Sequence, residues 1–188
     1  MIQNFLETLN GIFPISDETK KNLQSKLTCN LLPKGSLLLS EGQISDKLFF
    51  ICNGMARAFY YENSNEITSW IVSSGNFIYS PSSFINQKPS FETIQLVEQS
   101  TVITFDYSVV QEMYLNQPEI LHLALKISQK YLLVFDERVR SLRLSASDRY
   151  FRYAKQFPEI VANIKVDYLA SYLGLSRATL NALRAKKS

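Results

Sequence analysis

Tyr168-Leu-Ala-Ser-Tyr-Leu-Gly-Leu-Ser-Arg-Ala-Thr-Leu-Asn-Ala-Leu-Arg184, followed by Ala185-Lys-Lys-Ser188, reads as a short helix, a glycine turn and a second helix with a basic end. Leu169 and Leu173 lie four apart and share one face of the first helix; Leu180 and Leu183 do the same on the second. Ala170 is small where two crossing helices pack closely. Gly174 is free to take the positive φ that ends the first helix, with Leu175 plugging the corner. Ser176 is a good N-cap for the second. The outward positions then belong to Ser176, Arg177, Ala178, Thr179, Asn181 and Arg184. The pattern predicts a helix-turn-helix whose second helix enters the DNA major groove. An ordinary αα-corner would satisfy the same apolar positions.

Charge separates along the chain in the sense that DNA binding requires. The 20 basic and 17 acidic residues give only +3 overall. Residues 1–142 hold 11 basic and 14 acidic residues, and residues 143–188 hold 9 and 3. A basic C-terminal unit on an acidic body suits phosphate neutralisation, and a solvated basic surface would not by itself coincide with the two-helix pattern.

At 188 residues, 46% hydrophobic, the chain can hold one ordinary domain and a small one. No stretch approaches the roughly 20 apolar residues of a membrane span. Met1-Ile-Gln-Asn-Phe-Leu-Glu-Thr-Leu9 reads as an amphipathic helix rather than a signal peptide. Cys29 and Cys52 lack metal-ligand spacing and read as buried free thiols, which fits a reducing cytoplasm.

Residues 2–27 read as helical, with Ser16 or Asp17 capping a second short helix. From Cys29 to Asp106 short strands alternate with turn residues: Leu31-Leu32-Pro33-Lys34-Gly35-Ser36-Leu37-Leu38-Leu39, then Lys47–Cys52, Met55–Tyr61, Glu66–Val72 and Thr93–Phe105. Asn53-Gly54 predicts a hairpin between the strands on either side. Many short strands with few helices predict a sandwich or roll of jelly-roll type. From about Val109 the helical period returns. Leu121, Leu125, Ser128, Leu132, Phe135, Val139 and Leu142 form one stripe, flanked by Ile120, Ala124, Ile127, Tyr131 and Val134. One stripe can cover the β domain, and the other is expected to form a homodimer seam. Burial between two domains of one chain is the alternative.

An α+β chain with a β-roll, a long helix and a C-terminal helix-turn-helix resembles the cyclic-AMP receptor/fumarate–nitrate regulator (Crp/Fnr) family of bacterial transcription factors. The most specific segments are Lys34-Gly35 with Leu39-Ser40-Glu41-Gly42, Phe49-Phe50-Ile51-Cys52-Asn53-Gly54, and Gly75-Asn76-Phe77-Ile78. The Gly174-Leu175-Ser176-Arg177 turn resembles the approach to that family's recognition helix. The resemblance implies a sensor roll with N-terminal helices over 1–115, a dimerisation helix over 116–142 and a DNA-binding domain over 143–188. It implies a homodimer reading an inverted-repeat operator in double-stranded DNA, with Arg177 on a guanine, Asn181 on an adenine, and Lys186 and Lys187 on phosphates. Ala182 stands where many members carry a second basic residue, and the sequence stops at Ser188 without the family's β-hairpin wing. An activator of this type would also contact RNA polymerase, for which no motif here marks a surface.

The cyclic-nucleotide cassette of the family departs here. Its Gly-Glu pair is replaced by Tyr79-Ser80, and Glu92-Thr93 stands where an Arg-Ser or Arg-Thr pair would take the cyclic phosphate. A carboxylate repels phosphate, so cyclic nucleotides are not expected to bind. Tyr79, Ser80, Ser82, Glu92 and Thr93 become the candidate pocket for another small-molecule effector, or merely the polar lining of a collapsed pocket. No cofactor is expected: Met1–Thr28 has no Cys for an iron–sulfur cluster, and His122 is the single His, on the long helix. One His outside the roll leaves neither a metal site nor a nucleophile–base set, so no enzyme is expected. The competing function is a degenerate sensor module that acts by protein contact without binding DNA.

Overall fold

The computed structural model describes residues 1–185. Helices α1 (Ile2–Ile12) and α2 (Asp17–Lys26) lead into β1 (Thr28–Leu32) and β2 (Leu37–Leu39). Strands β3 (Lys47–Asn53), β4 (Met55–Glu62), β5 (Asn65–Ser73) and β6 (Asn76–Ile78) follow. Next come α3 (Pro81–Asn86), β7 (Thr93–Leu96), β8 (Ser100–Asp106) and α4 (Tyr107–Asn116). The rest is helical: α5 (Pro118–Ser141), α6 (Ala146–Gln156), α7 (Pro158–Asn163), α8 (Val166–Leu173) and α9 (Arg177–Ala185).

Two antiparallel four-stranded sheets, ordered β1-β8-β3-β6 and β2-β7-β4-β5, face each other as a roll. Alternation assigns the side chains. Phe49 and Ile51 of β3 point between the sheets with Ala56, Ala58, Ile94, Leu96 and Val102. Phe50 points the other way, into a core built with Phe5, Phe77, Ile103 and Phe105 beneath α1. Covering both faces explains why residues 48–52 of β3 form an unbroken apolar run. The inner stripe of α5 closes the same core with Ile120 and Leu123. A third core holds the C-terminal helices together and takes in Met55 and Ile71 from the roll.

The expected Asn53-Gly54 hairpin is not formed. β3 and β4 belong to different sheets, and Gly54 carries the chain from one to the other at φ +107°. The true hairpin joins β4 to β5 through Asn63 and Ser64, both left-handed, a turn whose twist matches the strands. Cys29 and Cys52 are free but half-buried rather than buried, and burial pushes the Cys52 thiol up to about 11. No helix among the described residues is long and apolar enough to cross a membrane.

At Gly54 a Cβ would meet Ser100 Oγ at 2.1 Å and the Ser100 Cα at 2.9 Å, whereas at Gly75 (φ +82°) it would meet nothing within 4 Å. Gly54→Ala is therefore expected to cost about 2–4 kcal/mol, from left-handed strain plus overpacking. Gly75→Ala should cost only the strain, about 1 kcal/mol. Urea unfolding of the two variants checks the difference.

Candidate functional site

Two regions bring the expected residues together: a cavity in the roll beside α5, and the outer face of α9. The cavity has a volume of about 300 Å³. Its walls are aromatic, with Trp70 from β5, Phe77 and Tyr79 from the β6–α3 segment, Phe91, and Tyr131 and Phe135 from α5. Ser82 and Phe91 stand exposed at its mouth, and Glu92 lies deep within it at 4% exposure.

Glu92 is positioned by a strand irregularity. Where β4 pairs with β5, Ala58 faces Trp70 and Phe59 faces Thr68, leaving Ser69 as an extra residue. Such a bulge re-aims its side chain. The Ser69 hydroxyl donates to Glu92 Oε2 at 2.7 Å. Burial raises the Glu92 pKa, partly opposed by hydrogen bonds from Ser69 and Ser80. No ion pair to Glu92 forms among the described residues. On the opposite wall, the Tyr131 hydroxyl accepts from Phe77 N–H (2.8 Å) and donates to Phe77 O (3.1 Å), pinning α5 to β6. Burial pushes Tyr131 up to about 12.

Of the five expected pocket residues, Tyr79, Ser82 and Glu92 line the cavity. Ser80 does not: it is fully buried behind the wall, accepting from Ser90 Oγ at 3.0 Å. Thr93 does not either, because strand alternation turns it away and its hydroxyl accepts from Glu41 N–H. Ser69, Trp70, Tyr131 and Phe135 were absent from the expected pocket, since bulges and long-range packing leave no local signal.

At the C-terminal end, α8 stops at Gly174 (φ +63°), and Leu175 N–H returns to Ala170 O at 2.9 Å. Ser176 Oγ accepts from Thr179 N–H at 3.1 Å and starts α9. Arg149 of α6 completes the turn by donating to the Leu173 and Gly174 carbonyls. These acceptors are the orphan groups at the end of α8. α9 buries Leu180 and Leu183 and exposes Ser176, Arg177, Ala178, Asn181 and Ala182, with Thr179 half-buried. Arg177 makes an exposed ion pair with Asp167 at 3.2 Å. Arg184 is half-buried and donates to Val161 O at 2.8 Å, tying α9 to α7. Lys186 and Lys187 lie outside the described residues.

The C-terminal unit docks on the roll through α8. Its centre is Arg57, 1% exposed, on the outer face of β4 because Ala56 and Ala58 point inward. Its guanidinium pairs with Glu66 at 2.6 Å and lies over the Phe59 and Tyr168 rings at 4.0 and 3.5 Å. Beside it, Thr68 N–H donates to Ser171 Oγ at 2.8 Å.

Along α5, Leu121, Leu125, Ser128, Leu132 and Val139 are exposed, Leu132 at 68% and Val139 at 60%. Phe135 departs from this stripe: although 42% exposed, it stacks on Trp70 at 4.5 Å and lines the cavity. His122 stacks on Phe13.

Residues 30–117 match the family model of the cyclic nucleotide-binding domain. Over most of its length the chain shares its fold with solved bacterial regulators. The global regulator CLP of Xanthomonas campestris, described as responsive to cyclic di-GMP, superposes with a TM-score of 0.70 at 16% identity, over 92% of this chain and 91% of that one. FixK2 from Bradyrhizobium japonicum gives 0.71 at 12% identity, over 85% and 83%. The Thermus thermophilus catabolite activator protein gives 0.58 at 17% identity, over 95% and 85%. No curated protein matches the chain by sequence.

Two stability measurements follow from this geometry. The Arg57→Leu and Tyr168→Leu pair should show a coupling of about 1–2 kcal/mol in a double-mutant unfolding cycle, as for a desolvated cation on a ring. For Glu92, the folded pKa lies above the unfolded one, so burial of its charge costs stability in full above the folded pKa. Glu92→Gln should therefore unfold at higher urea than wild type near neutral pH. That gain should shrink as pH falls through the folded pKa and vanish near about pH 4, the unfolded value.

Proposed function

We propose that the chain is a dimeric, DNA-binding transcriptional regulator of the Crp/Fnr type that does not respond to cyclic nucleotides. The observation that carries this reading is the geometry of α8, the Gly174–Ser176 turn and α9. The turn is capped at both ends, the unit docks on the roll through α8 and α7, and the outer face of α9 is left open. These features support a helix-turn-helix reading, in which the second helix meets base edges. The domain division that goes with this reading is a sensor roll with N-terminal helices over 1–115, a dimerisation helix over 116–142 and a DNA-binding unit over 143–188.

A second copy of the chain suits the exposed apolar stripe of α5, since a face carrying Leu121, Leu125, Leu132 and Val139 in water is costly. A two-fold dimer presents two α9 helices to half-sites one helical turn apart, about 34 Å. The roll cavity serves as an effector site. Its lining holds no Lys, Arg or His, and its one carboxylate opposes a phosphate. Neither cyclic AMP nor cyclic GMP is expected to bind.

Operator selection from random DNA tests the DNA reading. Wild type should select an inverted repeat, and Arg177→Ala should lose about 1–3 kcal/mol per half-site and relax one base pair. Arg184→Ala should lower stability and leave base preference unchanged. Selection of no sequence at all would favour a module that works by protein contact. Leu132→Glu, rather than a change at the Trp70-packed Phe135, should convert dimer to monomer by light scattering. A wild type that is monomeric at micromolar concentration overturns the dimer.

A further inference from the structure

We infer that the roll cavity binds a small molecule with an aromatic or apolar body and a protonated amine, the amine meeting the Glu92 carboxylate. This rests on the reading of the cavity as an effector site and adds the chemistry of its ligand.

Three observations converge. Glu92 is buried in the cavity wall, yet its only hydrogen-bonding side-chain partners among the described residues are neutral hydroxyls, Ser69 at 2.7 Å and Ser80 behind it. A buried carboxylate with no cation costs stability unless a counter-charge arrives, and a cationic ligand would supply it. Around it stand Trp70, Phe77, Tyr79, Tyr131 and Phe135, whose faces attract a desolvated cation and pack an apolar body. The volume of about 300 Å³ lies at the small end of ligand sites, which are roughly 300–1,000 Å³, so a single ring with a short side chain fits the space. The absence of any basic lining residue sets the sign: anions are disfavoured, and the one fixed charge selects cations.

The same site couples its occupant to the rest of the chain. Tyr131 and Phe135 belong to the long helix α5, and Trp70 also meets Tyr172 of α8 at 6.4 Å between ring centroids. A ligand seated on Glu92 therefore touches side chains from the roll and the long helix, and one of them contacts the C-terminal unit.

Trp70 is the single tryptophan of the chain, so its emission reports occupancy directly. The experiment titrates wild type with three probes on one scaffold: 2-phenylethylamine, 2-phenylethanol and 3-phenylpropanoate. Cyclic AMP is the fourth probe, and calorimetry runs alongside. The amine should give a saturable change and bind at least about tenfold tighter than the alcohol. The propanoate and cyclic AMP should give none. In Glu92→Gln, which is expected to be at least as stable as wild type near neutral pH, the preference for amine over alcohol should disappear.

Alcohol binding as tight as amine binding would mean that Glu92 sits there uncharged and would overturn the inference. Binding of propanoate or cyclic AMP, or an amine titration with no saturable response, would overturn it as well. Operator selection uses no ligand, so failure of the DNA reading and failure of this one are separate results.

Discussion

A fully buried guanidinium on the outer face of the roll governs how the molecule is put together. Removing Arg57 from water costs several kcal/mol, and that cost is offset only where every neighbour is in place. Glu66 supplies the counter-charge, Thr68 and Gln95 accept further hydrogen bonds, and Phe59 and Tyr168 close over the charge. Tyr168 comes from α8, so the roll cannot satisfy Arg57 alone. The C-terminal unit is thereby held in one orientation, with α8 against β5 and α9 facing away.

Next to that ion pair, Trp70 does for packing what Arg57 does for charge. Its ring stacks on Phe135 of the long helix, approaches Tyr131 and Tyr172, and walls the cavity above Glu92. Three parts of the chain therefore share one side chain. Filling or emptying the cavity changes the surroundings of a residue on which the long helix and the C-terminal unit both rest. Close-packed interiors transmit such changes as shifts between discrete arrangements.

What could be read from the sequence was what local chemistry decides. Gly174 and Ser176 announce a helix end and a helix start because caps act within a single turn. The alternating turns of the roll and the stripes of α5 follow from periodicity. Asn53-Gly54 misled because a pair that tolerates positive φ says nothing about which strands pair, and here it bridges two sheets. The cassette placed Glu92 in the cavity, yet Ser80 and Thr93 lie elsewhere, since one residue of alternation reverses a side chain. Arg57, Ser69 and Arg149 were silent in the sequence. Each owes its role to partners far along the chain or to a bulge that only pairing reveals. The tie from Arg184 to the Val161 carbonyl, 23 residues away, left no local signal either.

The crossing between the two sheets also limits how this chain can change over time. Replacing Ser100 by a smaller residue removes the hydroxyl and the Cβ that crowd position 54, but the Ser100 Cα, at 2.9 Å from a Cβ there, belongs to the backbone and stays. Substitution at Ser100 therefore relieves only part of the crowding, and the left-handed backbone at position 54 remains. A side chain at position 54 has to displace strand backbone, whereas the side chains on the outer face of α9 are exposed and touch no part of the roll's core.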